Sequence, residues 1–149
     1  MFYFRIVLKM INMNLLKFFI VSIIIVFIVS CTDTKKEIRR EINSGIKENS
    51  NSRFKEAIVH YQAAIDMDSQ NAEAYLNMGN SYFNLRNFDK SMECANKAIE
   101  LNNTYGVAYK LRAELYKKIF KNNTKACENY LLAEKYGVKN LQDYTKHCR

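Results

Sequence analysis

A period of 34 residues runs through the chain after its first 37 positions, and no other feature restricts the fold as much. Phe54, Ala57, Tyr61, Ala64 and Ile65 recur as Phe88, Ser91, Ala95, Ala98 and Ile99, each offset by 34. Upstream, Ser44-Gly45 corresponds to Met78-Gly79, while Tyr75 and Tyr82 return as Tyr109 and Tyr116. Glycine or alanine holds positions 45, 79 and 113. Within one period Tyr75, Met78, Gly79 and Tyr82 stand at i, i+3, i+4 and i+7, and Ala57, Tyr61, Ala64 and Ile65 at i, i+4, i+7 and i+8. Both spacings place apolar residues on one face of a helix, so each period reads as two helices. A small residue on one helix makes room for an aromatic on its neighbour. Such a hairpin cannot bury its apolar face alone, so about three must stack. The absence of proline and the presence of only 4 glycines suit long helices joined by short turns.

These residues resemble the tetratricopeptide repeat family over 38–71, 72–105 and 106–139, nearly all of the chain after its leader. The middle copy matches best: Tyr75 at the family's large position, Gly79 at its small one, Tyr82 at its aromatic one, then Phe88, Ser91, Ala95 and Ala98. Ser69 and Asn103 replace the closing proline, as turn residues and helix caps. In the first copy Glu41 and Glu48 occupy the large and aromatic positions, so its first helix is expected to fray. In the third, Arg112 stands at a core position, Asn122 and Asn123 fill the turn, and one extra residue shifts the register before Ala126, Tyr130 and Ala133. After Gly137, residues 140–149 are expected to form a capping helix with Leu141, Tyr144 and Cys148 on one face. The expected fold is an all-α solenoid of about three helical hairpins with that cap.

Residues 1–30 form a leader. An uncharged apolar run of 12 residues, 18–29, follows Arg5, Lys9 and Lys17, which is the layout of an export signal. A spanning helix needs about 20 apolar residues, so an uncleaved anchor requires Leu15, Leu16 and a snorkelling Lys17 as well. Ile28-Val29-Ser30-Cys31 resembles the lipobox of bacterial lipoproteins. That resemblance implies cleavage before Cys31, lipidation of its thiol, and attachment to a cell membrane or outer membrane, with residues 31–37 as a short tether.

If Cys31 is lipidated, Cys94, Cys127 and Cys148 remain in a compartment where disulfides persist. Antiparallel docking of the cap on the second helix of the third repeat would bring Cys127 and Cys148 together, and the same ending resembles that of many bacterial tetratricopeptide proteins. A Cys127–Cys148 bridge is therefore expected; the alternative is two small buried thiols. Cys94, beside Ala95, reads as core.

The formal charge of +8 falls to a mild excess of 20 basic over 15 acidic groups once the leader is set aside, and no run of five basic residues occurs. A nucleic-acid surface needs clustered positive charge. No C-x-x-C, paired histidine, glycine-rich phosphate loop, G-x-S-x-G or H-E-x-x-H is present, and His60 and His147 stand alone as surface or packing residues. The chain is accordingly read as a non-enzyme without cofactor, metal, nucleic acid or small-molecule substrate.

The resemblance also implies a binding groove lined by the first helix of each repeat. Carried over position by position, it comprises Asn77, Asn80, Phe83 and Asn84 of the middle copy and Lys110, Glu114 and Lys117 of the third. Asparagine amides pair with donors and acceptors of an extended backbone, and lysines favour acidic partners. The expected function is a membrane-anchored adaptor or scaffold for a protein or peptide in the bacterial envelope. The alternative is a structural subunit or assembly factor of an envelope complex, of the pilus-secretin or outer-membrane-protein type.

Overall fold

A computed structural model describes residues 33–146 and 148; the leader, the lipobox and Cys31 lie outside the described residues. The chain divides into two compact units, Met1–Glu37 and Ile38–Arg149. Of the first, residues 33–37, part of the expected short tether, are described and are helical. Among the described residues no helix is long and apolar enough to cross a membrane.

Among its described residues the second unit is built from helices and turns alone. Helix α1 covers residues 33–50, and α2 (Phe54–Met67), α3 (Ala72–Asn84), α4 (Phe88–Leu101), α5 (Gly106–Lys118) and α6 (Asn123–Lys135) follow. They form three consecutive hairpins, α1/α2, α3/α4 and α5/α6; Ile38 and Ile42 of α1 share a core cluster with Tyr61 of α2, and from α2 onward each helix packs on the next. A single helical turn, α7 (Gln142–Thr145), closes the chain.

Alanines set the spacing. Ala57, Ala64, Ala95, Ala98, Ala108, Ala113 and Ala133 are completely buried, and large side chains fill the gaps they leave: Tyr61 and Ile42 in the first hairpin, Leu111 and Leu115 in the middle, Tyr130 and Leu141 at the end. Each large side chain buried this way stabilises the fold by about 1.5–3 kcal/mol. Ser91, at the position of Ala57 one period earlier, is also fully buried, and its hydroxyl donates to the Gly79 carbonyl at 2.9 Å. A buried hydroxyl with a partner costs little; without one it would be expensive.

The first helix does not fray. His60 Nδ1 lies 2.8 Å from Glu41 Oε2 across the α1/α2 hairpin, and Glu48 pairs with Arg53 in the turn. The carboxylates that depart from the family's apolar pattern therefore find partners on the adjoining segment, and Ile38 and Ile42 supply the apolar face. Arg112 is similarly accommodated. Its Nε donates to Asn129 Oδ1 at 2.7 Å, another guanidinium nitrogen donates to Asn96 Oδ1 at 3.0 Å, and the Tyr109 ring lies beneath it at 5.2 Å. One cation thus links α4, α5 and α6 and satisfies the buried Asn129, whose amide also donates to the Lys125 carbonyl.

Helix ends differ from the expectation in one respect. Asn71, not Ser69, caps α3, accepting from the Ala74 N–H at 3.0 Å, and Tyr105, not Asn103, precedes α5 without a side-chain cap bond. Asp68 and Asn102 instead close local turns, accepting from the N–H groups of Gln70 and Thr104. The side-chain oxygen must lie just before the first helical residue to reach its orphan donors, and Ser69 and Asn103 are two residues too early. Asn87 and Asn122 cap α4 and α6 in the same way as Asn71.

The turns inside the first two hairpins share a geometry. Ser52 and Arg86 adopt φ of 61°, with paired bonds back into the preceding helix: Arg53 N–H to Glu48 O and Ser52 N–H to Asn49 O in one, Asn87 N–H to Tyr82 O and Arg86 N–H to Phe83 O in the other. This is the helix-ending motif in which glycine is favoured. A non-glycine side chain there costs about 1–2 kcal/mol, partly offset by the greater freedom glycine loses on folding. Ser52→Gly and Arg86→Gly, both at exposed positions, are expected to stabilise the protein by about 0.5 kcal/mol each and additively, read as a shift of the urea midpoint. A loss of stability in both would mean that the turns adopt another conformation in solution.

Gly137 ends α6 as expected, at φ 90°, with Val138 N–H bonded to Ala133 O and Gly137 N–H to Glu134 O. The cap that follows is shorter than expected. Asn140 turns the chain with φ of 62°, and among the described residues of this segment only Gln142–Thr145 are helical. Leu141 and Thr145 are buried, while Tyr144 stacks on Tyr130 with ring centroids 4.8 Å apart. A disulfide joins Cys127 of α6 to Cys148, with Cα atoms 5.4 Å apart. Cys94 is a buried free thiol in the first core cluster, and burial, with Glu93 beside it, pushes its pKa up to about 12. It stays protonated, which suits packing and not reaction.

Candidate functional site

The first helices of the three hairpins line a common cavity of about 390 Å³. Helix α1 contributes Asn49; α3 contributes Asn80, Phe83 and Asn84; α5 contributes Val107, Lys110, Leu111 and Glu114. Of the residues expected from the sequence, Asn80, Phe83, Asn84, Lys110 and Glu114 meet here. Asn77 and Lys117 do not line it. The half-buried Asn77 presents its carbonyl to the Ser81 hydroxyl at 3.2 Å, and it shares its repeat register with Leu111, so the position points partly toward the core. Lys117 lies over the Tyr144 ring at 4.8 Å and lines a different cavity near the cap.

Three residues were not anticipated: Asn49, Val107 and Leu111. Asn49 stands one period before Phe83, so the repeat itself marks it, although the poor match of the first copy conceals it. The fully buried Ser81 hydroxyl lies 3.1 Å from Asn49 Oδ1 and shares its single proton with the Asn77 carbonyl. With its oxygen held, the Asn49 amide nitrogen is left to donate.

The walls carry distinct chemistry. Phe83 packs edge-on against Phe88 at 5.7 Å and joins the middle core cluster, so its ring is a fixed apolar surface. Val107 is 46% exposed, which leaves a branched apolar side chain at the mouth. Lys110 makes no ion pair among the described residues, so its ammonium is available. Glu114 is the one acid of the lining, and Lys118 takes up its charge at 3.2 Å while lying over Phe83 at 5.9 Å. The cavity therefore offers amide donors and one cation beside a fixed apolar strip.

Residues 48–85 match a family model described as TPR repeat, and residues 72–105 match one described as tetratricopeptide repeat. Residues 48–105 therefore carry tetratricopeptide repeats. The models end at residue 105, and α5/α6 continues the same hairpin packing beyond them. The chain is 26% identical over 83 residues to the STIP1 homolog of Dictyostelium discoideum, an alignment spanning 56% of this chain and 15% of that protein. Among solved structures, the first tetratricopeptide domain of Spaghetti (RPAP3), bound to the HSP90 peptide SRMEEVD, superposes with a TM-score of 0.69 at 23% identity over 76% of this chain and 90% of that one. The Arabidopsis OM64 tetratricopeptide domain gives 0.70 at 18% identity, covering 78% and 97%. These similarities establish the helical-hairpin solenoid.

Proposed function

We propose that the repeats act as an adaptor whose groove holds an extended, acidic segment of a partner protein. The observation that carries this reading is the convergence of Asn49, Asn80 and Lys110, from three successive hairpins, beside Phe83 and Val107. Amides on two helices can pair with the backbone of an extended chain, which has no internal partners for its own N–H and C=O groups. Lys110 favours a carboxylate, and Phe83 with Val107 accepts an apolar side chain between polar contacts. The Spaghetti domain, which has this fold, holds a peptide rich in carboxylates, SRMEEVD. Nothing in this chemistry requires bond making or breaking, and the protein is proposed to bind and not to catalyse.

The proposed setting is the bacterial envelope, with a lipid on Cys31. Its support is the basic and apolar leader ending in Ile28-Val29-Ser30-Cys31. Thr32 alone separates Cys31 from α1 in sequence, so a lipid on Cys31 would tether the repeats at a membrane, and their ligand is proposed to be another envelope component.

A photo-crosslinking amino acid placed at Val107, at the groove mouth, or at Val59, 68% exposed on α2, tests this in intact cells. The Val107 probe is expected to capture a partner and the Val59 probe to capture none. Asn80→Ala combined with Lys110→Met should reduce the Val107 adduct about tenfold, the equivalent of ~1.4 kcal/mol, with unchanged helicity. Capture from Val59 alone, or an adduct indifferent to the double substitution, would move the partner to another face. Recovery of the partner in stoichiometric amounts would favour the assembly-subunit reading.

A further inference from the structure

A second cavity of about 360 Å³ lies at the other end of the solenoid, lined by Lys117 of α5, Asn123, Ala126, Cys127 and Tyr130 of α6, and Asp143, Tyr144 and Cys148 of the closing segment. We propose that this cavity is a separate binding site for a carboxylate carried on a flat apolar group, either a small organic acid or the carboxy-terminal residue of a polypeptide.

Several independent features converge on that chemistry. Tyr130, 1% exposed, has a buried hydroxyl with no hydrogen-bond partner among the described residues. Buried hydroxyls are almost always paired, so an orphan in the wall of a cavity asks for a group that enters from the cavity. Burial, with Glu114 and Tyr144 nearby, pushes its pKa up to about 12, so it remains a neutral donor at ordinary pH. Lys117 holds its ammonium 4.8 Å from the Tyr144 ring centre and 6.0 Å from that of Tyr130. The nearest acid on its own helix, Glu114, is already paired with Lys118, and Asp143 at the rim is paired with Lys146 at 3.6 Å. The amino end of α6, a 13-residue helix, opens at Asn123 and adds the positive end of its dipole to the same wall.

The apolar part of the ligand follows from the remaining walls. Tyr130 and Tyr144 stack at 4.8 Å with an interplanar angle of 28°, and Tyr144 is 43% exposed. The Tyr130 hydroxyl is closed to solvent, so the flat group must displace Tyr144 from Tyr130 for the carboxylate to take both the Lys117 ammonium and the Tyr130 hydroxyl. The disulfide forms part of the wall and keeps the closing segment in place. None of these side chains belongs to the groove, so the two sites are separable.

The experiment uses the oxidised protein and follows the side-chain NMR signals of Lys117 and the ring signals of Tyr130 and Tyr144. The probes are benzoate against benzamide, and the dipeptide N-acetyl-alanyl-phenylalanine against its C-terminal amide. Both acids, or one of them, should give saturating shifts that the amides do not, and the acid that binds more tightly identifies the source. Lys117→Met should weaken binding at least tenfold. Tyr130→Phe should weaken it as well while melting at an equal or higher temperature, because it removes an unpaired buried hydroxyl. Asn80→Ala with Lys110→Met should bind the acids as wild type, which separates this site from the groove. Absence of saturation with either acid, equal shifts with the amides, or undiminished binding by Lys117→Met would overturn the assignment.

Discussion

Gly45→Val is expected to destabilise the protein by about 3 kcal/mol or more, the largest effect of any single substitution considered. A Cβ at Gly45 would lie 2.5 Å from Tyr61 Cε1 and 2.8 Å from Cδ1 and Cζ, inside any tolerable contact distance. The ring cannot step aside. Tyr61 is 1% exposed and is packed within a cluster that includes Ile42, Ala57, Ala64 and Met78, on both its own hairpin and the next. Overpacking of this kind typically costs about 1–3 kcal/mol per site, and valine adds three carbons where not even one fits. Against a total stability of about 5–15 kcal/mol for an ordinary domain, the loss would be visible directly in the urea or thermal midpoint followed by circular dichroism. Gly45→Ala should lose less, since the better helix propensity of alanine returns up to about 1 kcal/mol. Combining Gly45→Val with Tyr61→Leu should recover part of the loss, because the two positions share one volume. A Gly45→Val protein that melts with wild type would show that the ring does not occupy this place.

The sequence implied the kind of contact, a small residue on one helix making room for an aromatic on its neighbour, and Gly45 with Tyr61 is such a pair. The reasoning holds for the first hairpin and changes in the second. Gly79 faces Cys94 and Leu111, each 3.1 Å from where its Cβ would be, because the residue at Tyr61's register is Ala95. The repeat period thus specifies where two helices approach closely, whereas the side chain that fills the gap depends on the individual copy. Other features were hidden for the same reason. Periodicity marks apolar faces, but it is silent about the exposed Ser52 and Arg86, which hold positive φ without being glycine. Glu41 and Arg112 break the apolar pattern, yet His60, Asn96 and Asn129 pair with them across helices, a long-range matter that local spacing does not report.

The groove shows a related boundary. Asn80, Phe83, Asn84, Lys110 and Glu114 converge because consecutive hairpins present the same helical face, which a 34-residue offset captures. Lys117 obeys the same offset from Phe83 and still lies elsewhere. It sits in the third hairpin, where the closing segment, and not another hairpin among the described residues, supplies Tyr144 as its neighbour. A terminal copy of a solenoid meets a different environment from an internal one, so position within the repeat ceases to determine surroundings there.

Loss of the Cys127–Cys148 bridge is expected to cost about 3 kcal/mol, the entropy that a cross-link over a sequence separation of 21 removes from the unfolded chain. The consequence should be concentrated at the C-terminal end. Helix α7 is a single turn, Gln142–Thr145, and a turn that short has no stability of its own. Its attachment consists of the buried Leu141 and Thr145, the stacking of Tyr144 on Tyr130, and the bridge. Without the bridge, the remaining contacts must offset the conformational entropy of the whole segment after Gly137, about 1–2 kcal/mol for each ordered backbone residue. The segment should therefore open before the rest. Opening would expose Tyr130, Ala126 and Ala133, the apolar end of the last hairpin that the segment covers. Cys127→Ala with Cys148→Ser should lower the urea midpoint relative to the oxidised wild type, and wild type in reductant should follow the variant. Hydrogen exchange should show protection lost first at Tyr144, Thr145 and the C-terminal half of α6, with α2 to α4 protected to higher denaturant. Equal midpoints with and without reductant would mean that the closing segment is held by packing alone, and uniform loss of protection across α2 to α6 would mean that the repeats unfold as one cooperative unit from which the cap cannot detach.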